Sequence, residues 1–211
     1  MSPIVARYVF LIIFLNAHCA LFSQGVDTVD YYSPGRIRSK GKIDNHRKEG
    51  VWVSYYPDGK LNAREPYQEG KLNGEVIYFY PDGGIQGKEQ WRNGNLFDSA
   101  FYYHANSLLE KRGVYENSQY TGVWRHYFEN GKLSRTVTYK GGLPEGATTV
   151  FSETGVLLQQ GFYHEGLEQG VWKFYDEDGK PEYEGNYEKG KKVGVWVEID
   201  RRGRRTIMKP E

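Results

Sequence analysis

The residues of this chain best suited to chemistry are aromatic rings repeated in file. Trp52, Trp124, Trp172 and Trp196 fall on multiples of one 24-residue step, and Tyr67, Trp91, Tyr115, Tyr139, Tyr163 and Tyr187 form a second file at the same step. Rings in a row act by stacking: exposed, they take up sugars or peptide partners, and buried, they pack on one another. Groups suited to bond breaking are poorly placed. His46, His104, His126 and His164 occupy different positions of the 24-residue frame, without HxxxH or HExxH spacing, so converging metal ligands are not expected. His104 stands where Tyr56 and Tyr80 stand and reads as filling a ladder slot. Asp58, Asp82 and Asp178 each precede a glycine, which turn chemistry explains. Neither a nucleophile elbow nor a phosphate-cradling glycine loop in a strand–helix setting occurs. The expectation is a chain without catalytic residues, cofactor or metal; a hydrolase is the weakest reading.

The elements that must position those rings follow from the glycines. Gly50, Gly74, Gly122, Gly146, Gly170 and Gly194 share the step, with Asp98 in the skipped slot. A fixed period of this size is the signature of a repeat array. Counting Gly50 as position 1, the clearest unit runs from Gly50 to Asn73. Its segments 51–56 and 61–67 are rich in aromatic and β-branched residues that suit a pleated surface. Pro57-Asp58-Gly59-Lys60 between them predicts a type I turn closing on a bulge, repeated at Pro81-Asp82-Gly83, Glu129-Asn130-Gly131 and Glu177-Asp178-Gly179. The link Glu69–Gly74 reads as a second turn with glycine at both ends. No stretch keeps a helical period without a glycine interrupting it. The fold class is therefore all-β: tandem 24-residue hairpins forming an elongated, twisted antiparallel sheet, rising roughly 10 Å per unit. Residues 24–49 read as a degenerate capping repeat, 50–193 as six full repeats, and 194–211 as a partial repeat with a basic cap. The units starting at 98 and 146 are expected to be irregular, because Ala100 and Thr148 replace tryptophan and Ser107 replaces the turn glycine. Trp52 and Tyr55 have opposite parity. Either the strand kinks near its leading glycine or both faces bear rings.

Residues 1–23 read separately, as a signal peptide: Arg7, then the apolar run Tyr8–Leu15, then small and polar residues. The run is too short for a membrane span. Asn16-Ala17-His18 before Cys19 argues against a lipidated cysteine. Removing this leader takes away Arg7 and the only cysteine, leaving 27 basic against 27 acidic residues. That balance argues against bulk nucleic-acid binding, which draws its affinity from phosphate neutralisation. Arg201, Arg202, Arg204 and Arg205 are the one uneven stretch. They read first as charge guarding the last sheet edge, and second as a contact for lipid headgroups or an acidic polymer.

The unit G-x-W-x-x-Y-Y-x-D-G-K-L followed by Y-x-x-G-K resembles the MORN-type repeat variant of YwqK-type antitoxin components. Gly50-Val51-Trp52, Tyr55-Tyr56, Asp58-Gly59-Lys60-Leu61, Tyr67 and Gly70-Lys71 carry the likeness, as do Gly122–Leu133 and Gly170–Lys180. The resemblance implies an array of hairpins and a role in protein or membrane association, with no catalytic residues to carry over. A second, more distant likeness is to cell-wall-binding repeats with Gly-Trp and Tyr-Tyr elements. The functional expectation is an exported, non-enzymatic scaffold, periplasmic, surface-bound or secreted, that binds a protein or an envelope component. The alternatives are carbohydrate or cell-wall binding through the two aromatic files, and an antitoxin or immunity partner of a toxin met outside the cytoplasm.

Overall fold

The computed structural model describes residues 25–208, all of it strand, turn and short connection. The expected leader, residues 1–23 with Cys19, lies outside the described residues. The strands are β1 (Val26–Ser33), β2 (Arg36–Asp44), β3 (Arg47–Tyr55), β4 (Leu61–Gln68), β5 (Lys71–Leu72), β6 (Gly74–Phe79), β7 (Ile85–Arg92), β8 (Asn95–Tyr103) and β9 (Leu109–Glu116). They continue as β10 (Gln119–Tyr127), β11 (Leu133–Lys140), β12 (Leu143–Phe151), β13 (Leu157–His164), β14 (Leu167–Tyr175), β15 (Pro181–Glu188), β16 (Lys191–Ile199) and β17 (Arg205–Ile207). Each pairs antiparallel with its sequence neighbours, except that β5 and β6 follow one another in line and both pair with β4. From β8 to β17 the meander continues unbroken. The result is one long open sheet of hairpins.

Both turns follow from residue type. At the first, Gly59 N–H donates to Tyr56 O (2.9 Å) and Tyr56 N–H to Lys60 O (2.8 Å), with Gly59 at φ 88. This is the expected turn and bulge. Ser107 keeps the geometry at φ 66 without glycine. The second link is shorter than its glycines suggest. It is a two-residue turn, Glu69-Gly70, with both residues left-handed (φ 50 and 81), as the twist of a hairpin favours. Gly74 is not part of that turn.

The leading glycines instead make a bulge. Between the pairs Lys40↔Val53 and Lys42↔Glu49, Gly41 alone opposes Gly50, Val51 and Trp52. Gly50 accepts this at φ 67, and Asp98 takes the same left-handed conformation at φ 65. The kink precedes the tryptophan. From Trp52 to Ser54 the pairing is in step, Trp52↔Glu65, Val53↔Arg64 and Ser54↔Ala63, before the shift to Tyr55↔Leu61 at the turn, and Tyr55 lies under Lys40 on the side of Val53. Trp52 and Tyr55 therefore do lie on opposite faces, and both alternatives raised by their parity hold together.

One face is covered and one is open. The buried hydrophobic residues Trp52, Ala63, Val76, Ala100, Tyr115, Trp124, Val137, Trp172 and Trp196 all belong to files on one side, hereafter the ring face. No second layer lies over it among the described residues; the rings cover each other. Each file tryptophan lies flat on the backbone of a glycine in the preceding strand: a Cβ on Gly161 would stand 2.2 Å from Trp172 Cδ2, and one on Gly113 would stand 2.2 Å from Trp124 Cδ2. Gly41 under Trp52 and Gly185 under Trp196 repeat the contact. Where the later residue is small (Val76, Ala100, Thr148) the earlier one is large (Glu65, Glu89, Val137). The units starting at 98 and 146 are thus not irregular. They keep full strands, and Ala100 and Thr148 are among the buried residues.

Ladders along both margins tie unit to unit. Tyr32, Tyr56 and Tyr80 hydroxyls donate to the carbonyls of Tyr55, Phe79 and Tyr103 in the next unit. His104 Nε2 meets Tyr127 O at 3.0 Å in the same slot, as its position in the frame suggested. On the opposite margin the amides of Gly70, Gly94, Gly142, Gly166 and Gly190 donate back to the carbonyls of Lys48, Leu72, Tyr120, Pro144 and Glu168. A hairpin that is marginal alone is thereby held by its neighbours.

Candidate functional site

The ten ring positions that the spacing singled out all lie on the ring face, and neighbouring members meet. Tyr115 is 5.1 Å from Trp124, Tyr163 is 5.2 Å from Trp172, and Tyr187 is 5.1 Å from Trp196, each edge to face. Trp52 meets Tyr67 at 6.5 Å, and Tyr139 joins the cluster through Tyr120. Tyr120, which the two files did not include, lies 4.0 Å over Trp124. The four file tryptophans are 0–8% exposed. Three of them spend their Nε1–H on a carbonyl of the preceding strand: Lys42 for Trp52, Val114 for Trp124 and Phe162 for Trp172. The Nε1 of the fourth, Trp196, is buried without a hydrogen-bond partner, and the ring of each of the four lies on the backbone of its own sheet.

Where two successive units lack the tryptophan, a buried carboxylate fills the space. Glu89 is 8% exposed and pairs with Val76 on one side and Ala100 on the other. Tyr102 Oη donates to Glu89 Oε1 (2.6 Å), Trp91 Nε1 donates to Glu89 Oε2 (3.0 Å), and the Tyr115 hydroxyl lies 3.1 Å from that of Tyr102. Burial, with the carboxylate next, raises the Tyr78 and Tyr102 phenols far above their usual range. They are donors that hold their protons. A buried acid satisfied this way behaves as a structural network. Its sequence signal was the acid standing in a slot that elsewhere takes glycine.

Two histidines have perturbed surroundings. His126 is half-buried between Lys111 and Arg135, its cross-strand neighbours, and its Nε2 has no partner. Burial first, then Arg135 and Lys111, pull its pKa down to about 4. His164 Nδ1 lies 2.9 Å from Glu145 Oε1, which raises the imidazole; Glu145 is lowered by the Glu165 amide and then by His164. No group of three or more His, Cys, Asp or Glu side chains converges among the described residues.

The opposite, open face carries what the ring face hides. Val51 (55% exposed), Val123, Phe162, Val171 and Val195 stand on it with their side chains in solvent. At the last edge, Arg205 pairs with Glu184 and Arg204 with Asp200, so part of the basic cluster is tied to its own sheet. No helix among the described residues is long and apolar enough to cross a membrane.

An open sheet of hairpins in register, with a self-covered aromatic face, defines a solenoid-like repeat protein. More narrowly, four segments of the chain, residues 48–69, 72–96, 120–140 and 168–189, match the MORN repeat variant. No curated protein matches it. Among solved structures, the crystal structure of TcdB2-TccC3-Cdc42 is 12% identical, with a TM-score of 0.22 over 81% of this chain and 12% of that one. The crystal structure of TcdB2-TccC3-TEV is 13% identical, with a TM-score of 0.22 over 82% and 12%. The Photorhabdus luminescens Tc holotoxin pore gives 12% identity and 0.22 over 82% and 12%. This chain thus spans about 12% of the length of those chains, and likeness at that level carries no functional argument.

Proposed function

We propose that the protein is an exported, non-enzymatic repeat scaffold that binds a partner protein through its open face. The observation that carries this reading is the division between the faces. The ring face spends its tryptophans on its own backbone, whereas the open face leaves a file of apolar side chains in solvent. The file is interrupted by Glu75 and Ser99 and is most apolar from Val123 to Val195; exposed apolar side chains gathered on one face mark interaction surfaces. Glycan binding needs accessible ring faces, and tryptophans at 0–8% exposure offer little stacking area. An antitoxin or immunity role is the special case in which the captured protein is a toxin.

Photo-crosslinkers placed singly at Val51, Val123 and Val171 in cells expressing the full chain test the reading. All three should capture the same protein, identified by mass spectrometry. A chain that remains uncrosslinked at all three positions, or that crosslinks to glycan alone, overturns it. Fractionating the same cells tests export: recovery of the protein only from the cytoplasm contradicts that part.

A further inference from the structure

We infer that the partner protein of the open face presents an acidic amphipathic helix, which lies along the N-terminal half of the array while the rest of the partner reaches the C-terminal half. This deepens the scaffold reading above and rests on it.

One row of side chains crosses the open face strand by strand. Cross-strand pairing links Val29, Lys40, Val53, Arg64, Ile77, Lys88, Phe101, Arg112 and Arg125 in unbroken succession from β1 to β10. The row alternates apolar and basic until it ends on two arginines directly opposite each other. Lys40, Arg64 and Arg112 are exposed, and Lys88 and Arg125 are half-exposed. The ion pairs of the described residues include none of the five. Glu75, on the same face, accepts instead from Gln90 at 3.4 Å. Lys40 Nζ lies 5.6 Å from the Tyr55 ring, its one aromatic contact. Beyond β10 the row changes character: Thr136 and Thr149 bond to each other, and Gln160 donates to the Tyr175 hydroxyl. The one basic residue that the row still carries there, Lys173, stands opposite Glu184, so the alternation of basic and apolar residues is confined to the N-terminal half.

Like charges directly opposite on a sheet are unfavourable, so Arg112 beside Arg125 is not there to hold the strands together. A file of unpaired cations calls for an anionic partner. The spacing selects its form. Basic residues recur every second strand, about 9.6 Å apart, with an apolar residue halfway. An α-helix places residues i and i+7 about 10.5 Å apart, with i+3 or i+4 between them on the same side. A helix with an acid at every seventh position and an aliphatic residue midway therefore meets each member of the row in turn. The mismatch accumulates to about 3 Å over four basic residues, within reach of Lys and Arg side chains. An extended segment repeats its face every ~6.6 Å and loses phase after one step. A polyproline helix repeats at about 9.3 Å but has nothing halfway on the same side.

The experiment uses fluorescence anisotropy with the full chain purified from expressing cells. The probe is a labelled 28-residue helical peptide with Glu at every seventh position and Leu midway on the same face. A scrambled peptide of the same composition is the control, and phosphatidylglycerol vesicles and duplex DNA are competitors. The patterned peptide should bind at least 10-fold more tightly than the scrambled one. Combining Arg64→Gln, Lys88→Gln and Arg112→Gln should cost at least 10-fold, with circular dichroism and Tm unchanged, whereas Lys173→Gln in the C-terminal half should change affinity less than 2-fold. Equal binding of the two peptides, retained affinity in the triple variant, or vesicles or DNA displacing the peptide at lower charge concentration overturns the proposal. If the photo-crosslinks persist in the triple variant, the scaffold reading survives and this one does not.

Discussion

The tryptophan-on-glycine contact makes a sharp prediction at Gly161. Alanine there would put its Cβ 2.2 Å from Trp172 Cδ2 and 2.3 Å from Cε2, far inside any tolerated approach. The atoms in the way belong to a rigid ring that is 1% exposed and wedged against Tyr163 and Tyr187, so the indole has to lift from the sheet. Overpacking of this kind costs about 1–3 kcal/mol. Lifting the ring also breaks the Trp172 Nε1–H bond to Phe162 O, worth about 1 kcal/mol. Gly161→Ala should therefore destabilise by about 2–4 kcal/mol in urea denaturation followed by tryptophan fluorescence and far-UV circular dichroism. Trp172→Val alone should cost about 3–5 kcal/mol through the cavity it leaves. The double variant places a small residue over a side chain, the arrangement already present at Val137 and Thr148. It should be no worse than Trp172→Val alone, giving a coupling energy of at least about 2 kcal/mol. Additive losses, or an unchanged Gly161→Ala midpoint, would refute the argument, because the glycine would then not be making room for the ring.

Further outcomes follow from the same geometry. His126, with a folded pKa near 4 against 6.5 unfolded, imposes no penalty above pH 6.5; stability should fall as pH drops from 6.5 to about 4 and the slope should vanish below that. The full shift corresponds to about 3 kcal/mol, and solvent screening of the half-buried ring reduces this to roughly 1–2 kcal/mol. His126→Gln should remove that slope in pH-dependent urea titrations. Arg125→Gln relieves the pair with Arg112 and should raise stability by about 0.2–1 kcal/mol, the gain shrinking as salt screens the charges. Ser107→Gly at φ 66 should raise stability by about 1 kcal/mol, since only glycine takes that conformation without strain. Tyr80→Phe loses the 2.7 Å bond to Tyr103 O and should cost about 1 kcal/mol, with faster amide exchange along that margin.

The 24-residue step, the hairpin in each unit and the chemistry of the first turn were legible in the order of residues, because each depends on contacts within a few positions. The glycine partner of each tryptophan was legible too, as a complementarity between one strand and the next: Gly41, Gly113, Gly161 and Gly185 precede tryptophans, while Glu65, Glu89 and Val137 precede small residues. That signal is a correlation between two files, which scanning one file at a time does not expose. Which face would be covered could not be read the same way. A bulge that sets three residues against one changes how the strand meets its neighbour, and parity counts assume that no such insertion occurs. Only the paired sheet settled that the tryptophans lie flat on their own backbone and that the valines and arginines face solvent. Burial of a ring is decided by what its cross-strand neighbours leave vacant, a property of several distant segments together rather than of any one of them.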